Sequence, residues 1–188
     1  MVRHNFRNSY LSDLIYVSHE SIRVLASNHM MSMSQKTLSK EELDQRAQST
    51  VSLRDIQRVF TLFQFFLNDF SITCDGATPV STRYLHAMFL AIAVAYYMRL
   101  DFRSRQIFLD RIESVIGNEG INFKEVLDCA IDIVVRNTEI PQGIADTRGL
   151  RENIFMTLVC CLCQTPLLII GPPGSSKVNL ACKLFSNF

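Results

Sequence analysis

The side chains best suited to chemistry stand together in Gly171-Pro172-Pro173-Gly174-Ser175-Ser176-Lys177-Val178. Glycines let a backbone curl until its N–H groups converge on an anion, and a lysine at the end of the curl reaches the outer phosphates of a nucleotide. In the pattern G-x-x-x-x-G-K-[ST] a final hydroxyl then holds magnesium. Gly171 and Lys177 take their expected places. Ser176 stands where the second glycine belongs, and Val178 stands where the hydroxyl belongs. A serine can take the conformation needed at modest strain, but valine offers no oxygen, so a direct metal ligand is lost at that position. The plain alternative is a Gly/Pro turn between a strand and a helix.

Such a loop must be held between a buried strand and a helix. Pro166–Ile170 ("PLLII") reads as the short buried strand, and "VNLACKLF" from Val178 reads as the start of the helix. Before them, "LRENIFMTLVCCLCQ" from Leu150 is helical. Residues 137–149, polar with one proline and two glycines, form a linker. Hydrolysis would need an acidic residue on a second strand and further strands beside the first. Residues 150–188 hold none of these, so the expectation is a piece of a larger protein.

Upstream the pattern is helical throughout. Leu11, Leu14, Ile15, Ile22 and Leu25 recur at helical spacing within residues 10–28. Ser39 with Glu42 has the form of a capping box opening a short helix to about residue 48. Leu53, Ile56, Val59, Phe60, Phe63, Phe66, Leu67 and Phe70 then mark a strongly amphipathic helix. Ser52 is placed to cap it and Asp55 to favour its dipole, while Arg54 and Arg58 fall on the face expected to meet solvent. Residues 81–100 are apolar nearly all round and read as a buried central helix. One more helix stops at Gly117, suited to a left-handed terminus, and another starts at the capping pair Asn122 and Glu125.

Bulk composition limits the function classes. The chain has 188 residues, 48% hydrophobic and 20% charged, with a net charge of +1. No field of one sign marks it as a nucleic-acid binder, and its basic residues form no stripe. No transmembrane segment is expected: residues 84–98 are shorter than the ~20 residues a span needs, and the apolar run at 154–171 is broken by Gln164 and Pro166. Six cysteines occur, and all are read as reduced thiols of a cytoplasmic protein. Cys160, Cys161 and Cys163 share one helical run and point in different directions, so no metal site is assigned. His4, His19, His29 and His86 show no catalytic or metal-binding pairing.

Three stretches carry a resemblance to a family. "PLLIIGPPGSSK" resembles the phosphate loop of the mysterin-like giant AAA+ RING-finger ubiquitin ligases, which reads approximately P-L-F-L-V-G-K-P-G-S-S-K-S. The double serine before the lysine, unusual among AAA+ proteins, is reproduced by Ser175 and Ser176. "LRENIFMTLVC" looks like the family's helix before that loop, and "VSLRDIQRVFTLFQFF" looks like a sequence in the helical lid of the preceding module. On this resemblance Ser176 is normal and Val178 is not, since the family has serine there.

The resemblance implies a mainly α fold. A helical, AAA+ lid-like bundle over residues 1–136 is followed by the linker 137–149. Residues 150–188 are then the opening helix–strand–P-loop–helix of an incomplete α/β AAA+ domain. It implies ATP as the ligand, with phosphate contacts from Gly171, Gly174, Ser175, Ser176 and Lys177 and with Val178 at the position of the missing magnesium ligand. Arg54 falls at the place of a lid sensor arginine, though a capped, solvated helix turn accounts for it equally well. The partners implied are the remaining AAA+ modules of a larger parent and the ubiquitin machinery. A rival reading keeps the bundle as a non-enzymatic interaction module whose loop binds no nucleotide.

Overall fold

Ala87 to Tyr97 is a run of eleven residues with no charged side chain, and every one of them is buried. A helix without a polar face has nothing to present to water, so other elements must cover it on all sides. The computed structural model describes residues 11–25, 52–68, 80–117, 120–140 and 144–170, and in it this run is the axis of a helical bundle. Six α-helices are described: α1 (residues 11–25), α2 (Leu53–Asn68), α3 (Val80–Ala95), α4 (Phe102–Ile116), α5 (Phe123–Arg136) and α6 (Arg148–Leu162). A 3₁₀ turn, Tyr97–Arg99, follows α3. The expected short helix at residues 39–48 lies outside the described residues.

α3 packs most extensively on α2 and also against α5, which in turn packs on α6 and α4. The amphipathic pattern of α2 buries Val59, Leu62 and Phe66. α1 buries Leu14, Ile15, Ile22 and Leu25 as its spacing predicts. Two serines on its inner face, Ser18 and Ser21, are buried and donate their hydroxyls to the carbonyls of Leu14 and Val17, both at 2.6 Å. That bond within the helix spares each hydroxyl the cost of burial without a partner.

Aromatic rings fill the centre. Phe123, the first residue of α5, meets Phe89 of α3, Tyr97 of the 3₁₀ turn and Phe108 of α4, with ring centroids 5.5, 5.6 and 6.2 Å away. Tyr97 and Phe108 also pack together at 5.9 Å. Each ring of this size removed from water stabilises the fold by roughly 1.5–3 kcal/mol. α6 joins the same core: Phe155 is fully buried and stacks on Phe66 of α2 with centroids 6.5 Å apart. The helix that the sequence grammar grouped with the loop is therefore packed into the bundle.

Helix ends largely follow local chemistry. Asp101 caps α4 by accepting from the amides of Arg103 and Ser104, and Asn122 caps α5 by accepting from Lys124 and Glu125. α4 closes at Gly117, whose φ of +61° only glycine takes without strain. The central helix is shorter than residues 81–100 suggest, because the chain tightens into the 3₁₀ turn after Ala95. The cysteines also differ from expectation, since Cys129 of α5 is disulfide-bonded. Among the described residues no helix is long and apolar enough to cross a membrane.

No strand is formed among the described residues. Thr165–Ile170 carries no regular structure, and Leu168 and Ile170 are 82% and 85% exposed. The buried strand expected at Pro166–Ile170 is thus not seen. A strand needs a neighbour to pair its backbone groups, and no described segment supplies one. The exposure still alternates along the segment, with Leu167 and Ile169 partly covered between exposed neighbours.

Candidate functional site

Gly171, Gly174, Ser175, Ser176, Lys177 and Val178 lie outside the described residues. The structure reaches Ile170, the residue before that stretch, and describes the path of the chain up to it.

That path starts at the end of α6. Gln164 takes a positive φ of 51°, and two reversed hydrogen bonds close the helix. The Gln164 amide donates to Cys161 at 3.1 Å, and the Thr165 amide donates to Cys160 at 2.8 Å. This pair is the Schellman motif, here built on glutamine where glycine is usual, with Pro166 following to prevent further helix. The chain reverses, and Leu167 packs against the core.

α2 then meets the reversed segment. Arg58 donates from Nη2 to the carbonyl of Pro166 at 2.7 Å, a contact between residues 108 positions apart. The same guanidinium acts on the buried Cys160 thiol: burial pushes that thiol's pKa up, and the Arg58 charge draws it partly back. Arg58 was expected on the solvent face of α2. It is half-buried because the end of α6 and the segment after it lie along that side of the helix.

The N-terminus of α2 is fixed by Asp55. Its Oδ2 accepts from the Ser52 amide at 2.9 Å and from the Ser52 hydroxyl at 3.3 Å. The capping roles are thus reversed from expectation, since Asp55 reaches back while the serine hydroxyl donates to it. Oδ1 of Asp55 accepts from Arg99 of the 3₁₀ turn at 3.0 Å. Nearby Tyr96 has its pKa pushed up to about 12, first by burial and then by the Asp55 charge, against a smaller opposing effect of Arg99. Arg54 is exposed on the first turn of α2, and among the described residues it makes no hydrogen bond or ion pair.

A second polar cluster docks the other end of α6. Oε1 of Glu152 accepts from Arg105 Nη1 at 2.8 Å and from Arg148 Nε at 2.9 Å. Arg105 also donates to the carbonyls of Leu100 and Met98, and its guanidinium carbon lies 5.0 Å from the Tyr97 ring centre. Burial would raise the Glu152 pKa, but the hydrogen bonds and charges of Arg105 and Arg148 hold it below the usual carboxylate value. One turn along, Arg151 pairs with Asp132 of α5 at 2.8 Å. None of these residues stands out in the sequence, because every pair except Arg148–Glu152 crosses between elements. Cys160, Cys161 and Cys163 are buried, exposed and half-buried respectively, and no group of His, Cys, Asp and Glu among the described residues could hold a metal ion.

One comparison with known proteins falls at the C-terminal end of the chain. Residues 143–187 match the sequence profile of the RNF213 AAA domain. That places the chain in the class of AAA-type proteins, here with a mainly helical structure. A stretch of 137 residues, 69% of the chain, is 30% identical to the zebrafish E3 ubiquitin-protein ligase rnf213-beta. Human E3 ubiquitin-protein ligase RNF213 is 29% identical over 142 residues, again 69% of the chain. A putative uncharacterized transmembrane protein of Dictyostelium discoideum is 32% identical over 198 aligned positions, covering 90% of the chain. The chain spans about 3% of the length of each of these relatives. No solved structure matches it. The chain is RNF213-like.

Proposed function

We propose that this chain supplies a nucleotide phosphate-binding loop to a larger AAA+ machine. The observation that carries the reading is the RNF213 AAA-domain match over residues 143–187, which runs through the whole of Gly171–Val178. In this reading Lys177 holds the outer phosphates of ATP, and the backbone amides of Gly171, Gly174, Ser175 and Ser176 surround the inner ones. Phosphate suits this donor set. Magnesium does not gain a direct ligand, because Val178 has no oxygen, so the ion is held by the nucleotide and by groups beyond this sequence. Residues 171–188 contain neither Asp nor Glu, and hydrolysis therefore falls to other parts of the parent protein. The partners are its remaining AAA+ modules, and ubiquitin-ligase activity belongs to the parent as a whole.

Titration of the chain with a fluorescent ATP analogue tests the reading. Lys177→Ala should weaken binding by roughly tenfold or more, since it removes a charge-assisted contact to phosphate. Equal affinity in the two proteins, or no binding to either, would leave the rival account, a helical interaction module with an inert loop.

A further inference from the structure

We infer that Leu167–Ile170 is a docking edge for a second copy of this chain: the segment of one copy pairs as an antiparallel strand with the same segment of the other, in a register centred on Ile169. This surface is separate from the phosphate loop and lies wholly within the described residues.

Three observations make the segment an edge. Its exposure alternates with the two-residue period of a strand. Leu168 and Ile170 stand in solvent, while Leu167 and Ile169 are partly covered and Leu167 packs against the core. Among the described residues, nothing bonds to the amides or carbonyls of Leu167–Ile170. Backbone groups left in this state between apolar side chains are a template for another strand. The usual protection is missing as well, since residues 153–176 contain no charged side chain, and a free edge is normally guarded by one. This last point selects the partner. Two identical segments, both apolar and uncharged, meet without repulsion, whereas a charged peptide would find no counter-charge on these residues.

The register follows from symmetry and from the start of the segment. Two copies in a closed pair are related by a twofold axis, which sets identical strands antiparallel. Residues directly opposite each other then share a face, so exposed positions must meet exposed positions. A shift by one residue would set exposed Leu168 against the half-covered Ile169 of the other copy. Pro166 has no amide, and its carbonyl already accepts from Arg58 at 2.7 Å, so pairing begins at Leu167. The register that joins the two most exposed side chains places Ile169 opposite Ile169, with Leu168 of each copy opposite Ile170 of the other. Such a ribbon is short and falls below the roughly 800 Å² per partner of a standard interface. The association is therefore weak, with a Kd on the order of 0.1 mM.

Sedimentation velocity on the full chain, from roughly tenfold below to tenfold above that Kd, should show monomer passing to dimer. A non-reducing denaturing gel sets aside any cross-link through the exposed Cys161. The amides of Leu168–Ile170 should exchange with solvent more slowly at the upper end of the range than at the lower. Leu168→Lys combined with Ile170→Lys should raise the Kd roughly tenfold, because like charges then face each other. Circular dichroism and the thermal midpoint should not change, since both side chains already lie in solvent. Leu168→Lys combined with Ile170→Glu should recover the dimer, because the register sets opposite charges across the pair. A wild type that stays monomeric over the whole range overturns the proposal. So does a dimer that the double-lysine variant forms equally well, which would place the contact elsewhere on the bundle. A lysine–glutamate variant that pairs no better than the double-lysine one overturns the register centred on Ile169.

Discussion

Glu152 is one carboxylate answering two arginines, and both come to it for structural reasons. Arg148 lies one turn earlier on α6, and Arg105 arrives from α4 with two further bonds to the carbonyls that end the 3₁₀ turn. With its side chain only 14% exposed, the carboxylate cannot be removed without leaving Arg105 short of its counter-charge. Glu152→Gln should cost roughly 1–3 kcal/mol, read as a fall in the thermal midpoint of about 2–4 °C per kcal/mol for a chain of this size. The pH dependence has a definite sign. The folded-state pKa lies below 4.5, the ordinary value, so the contribution is full above that pH and is lost as pH falls through the folded value. The stability gap between wild type and Glu152→Gln should therefore be constant near neutrality and close below pH 4.5. A gap that persists undiminished at pH 3 would show that packing, and not charge, accounts for the loss. Arg58, by contrast, donates to a single backbone carbonyl, that of Pro166.

Two helices end on a positive φ, and they do so with opposite chemistry. α4 ends on Gly117 at φ +61°, and α6 ends on Gln164 at φ 51°. A Cβ placed on Gly117 would meet nothing within 4 Å, so any penalty there is conformational and not steric crowding by neighbours. Gly117→Ala should lose roughly 1–3 kcal/mol, because its φ of 61° with ψ of −145° is a region kept almost wholly for glycine. Gln164→Gly should gain roughly 0.5–1 kcal/mol by relieving the strain of a side chain at positive φ. Urea midpoints at constant slope measure both; shifts of the same sign would contradict the conformational account. The pair also shows what a sequence discloses at the level of elements. Gly117 and Asn122 announce their termini because their residue types are chemically suited to them. The periodic apolar faces of α1 and α2 and the unbroken Ala87–Tyr97 run are visible for the same reason: each is a local pattern. Gln164 gives no such sign, since nothing in a glutamine favours the left-handed region and only Pro166 hints at a break. Pro166–Ile170 has the composition of a buried strand, but strand formation depends on a partner, and composition cannot provide one. The pairs Asp55–Arg99, Arg105–Glu152 and Arg58–Pro166 join distant parts of the chain, and no window of sequence contains both members.

At the scale of the molecule, the two halves suggested by the change of pattern near residue 150 share one core. Leu150, Ile154, Phe155, Val159 and Cys160 of α6 are buried in the same cluster as Phe66, Phe89 and Phe123, and Glu152 and Arg151 tie the helix to α4 and α5. The end of α6 and the segment through Ile170 therefore leave from a base that the whole bundle holds in place. Phe155→Ala tests this unity. Removing a fully buried ring that stacks on Phe66 should cost roughly 3–5 kcal/mol, the transfer of the ring plus the cavity left behind. If α6 belongs to the core, that loss appears in every part of the chain. Unfolding followed by far-ultraviolet circular dichroism and by the near-ultraviolet signal of the buried Tyr96 and Tyr97 should then shift together and remain a single transition. If α6 is an appendage, the tyrosine signal keeps its wild-type midpoint while part of the helical signal melts early.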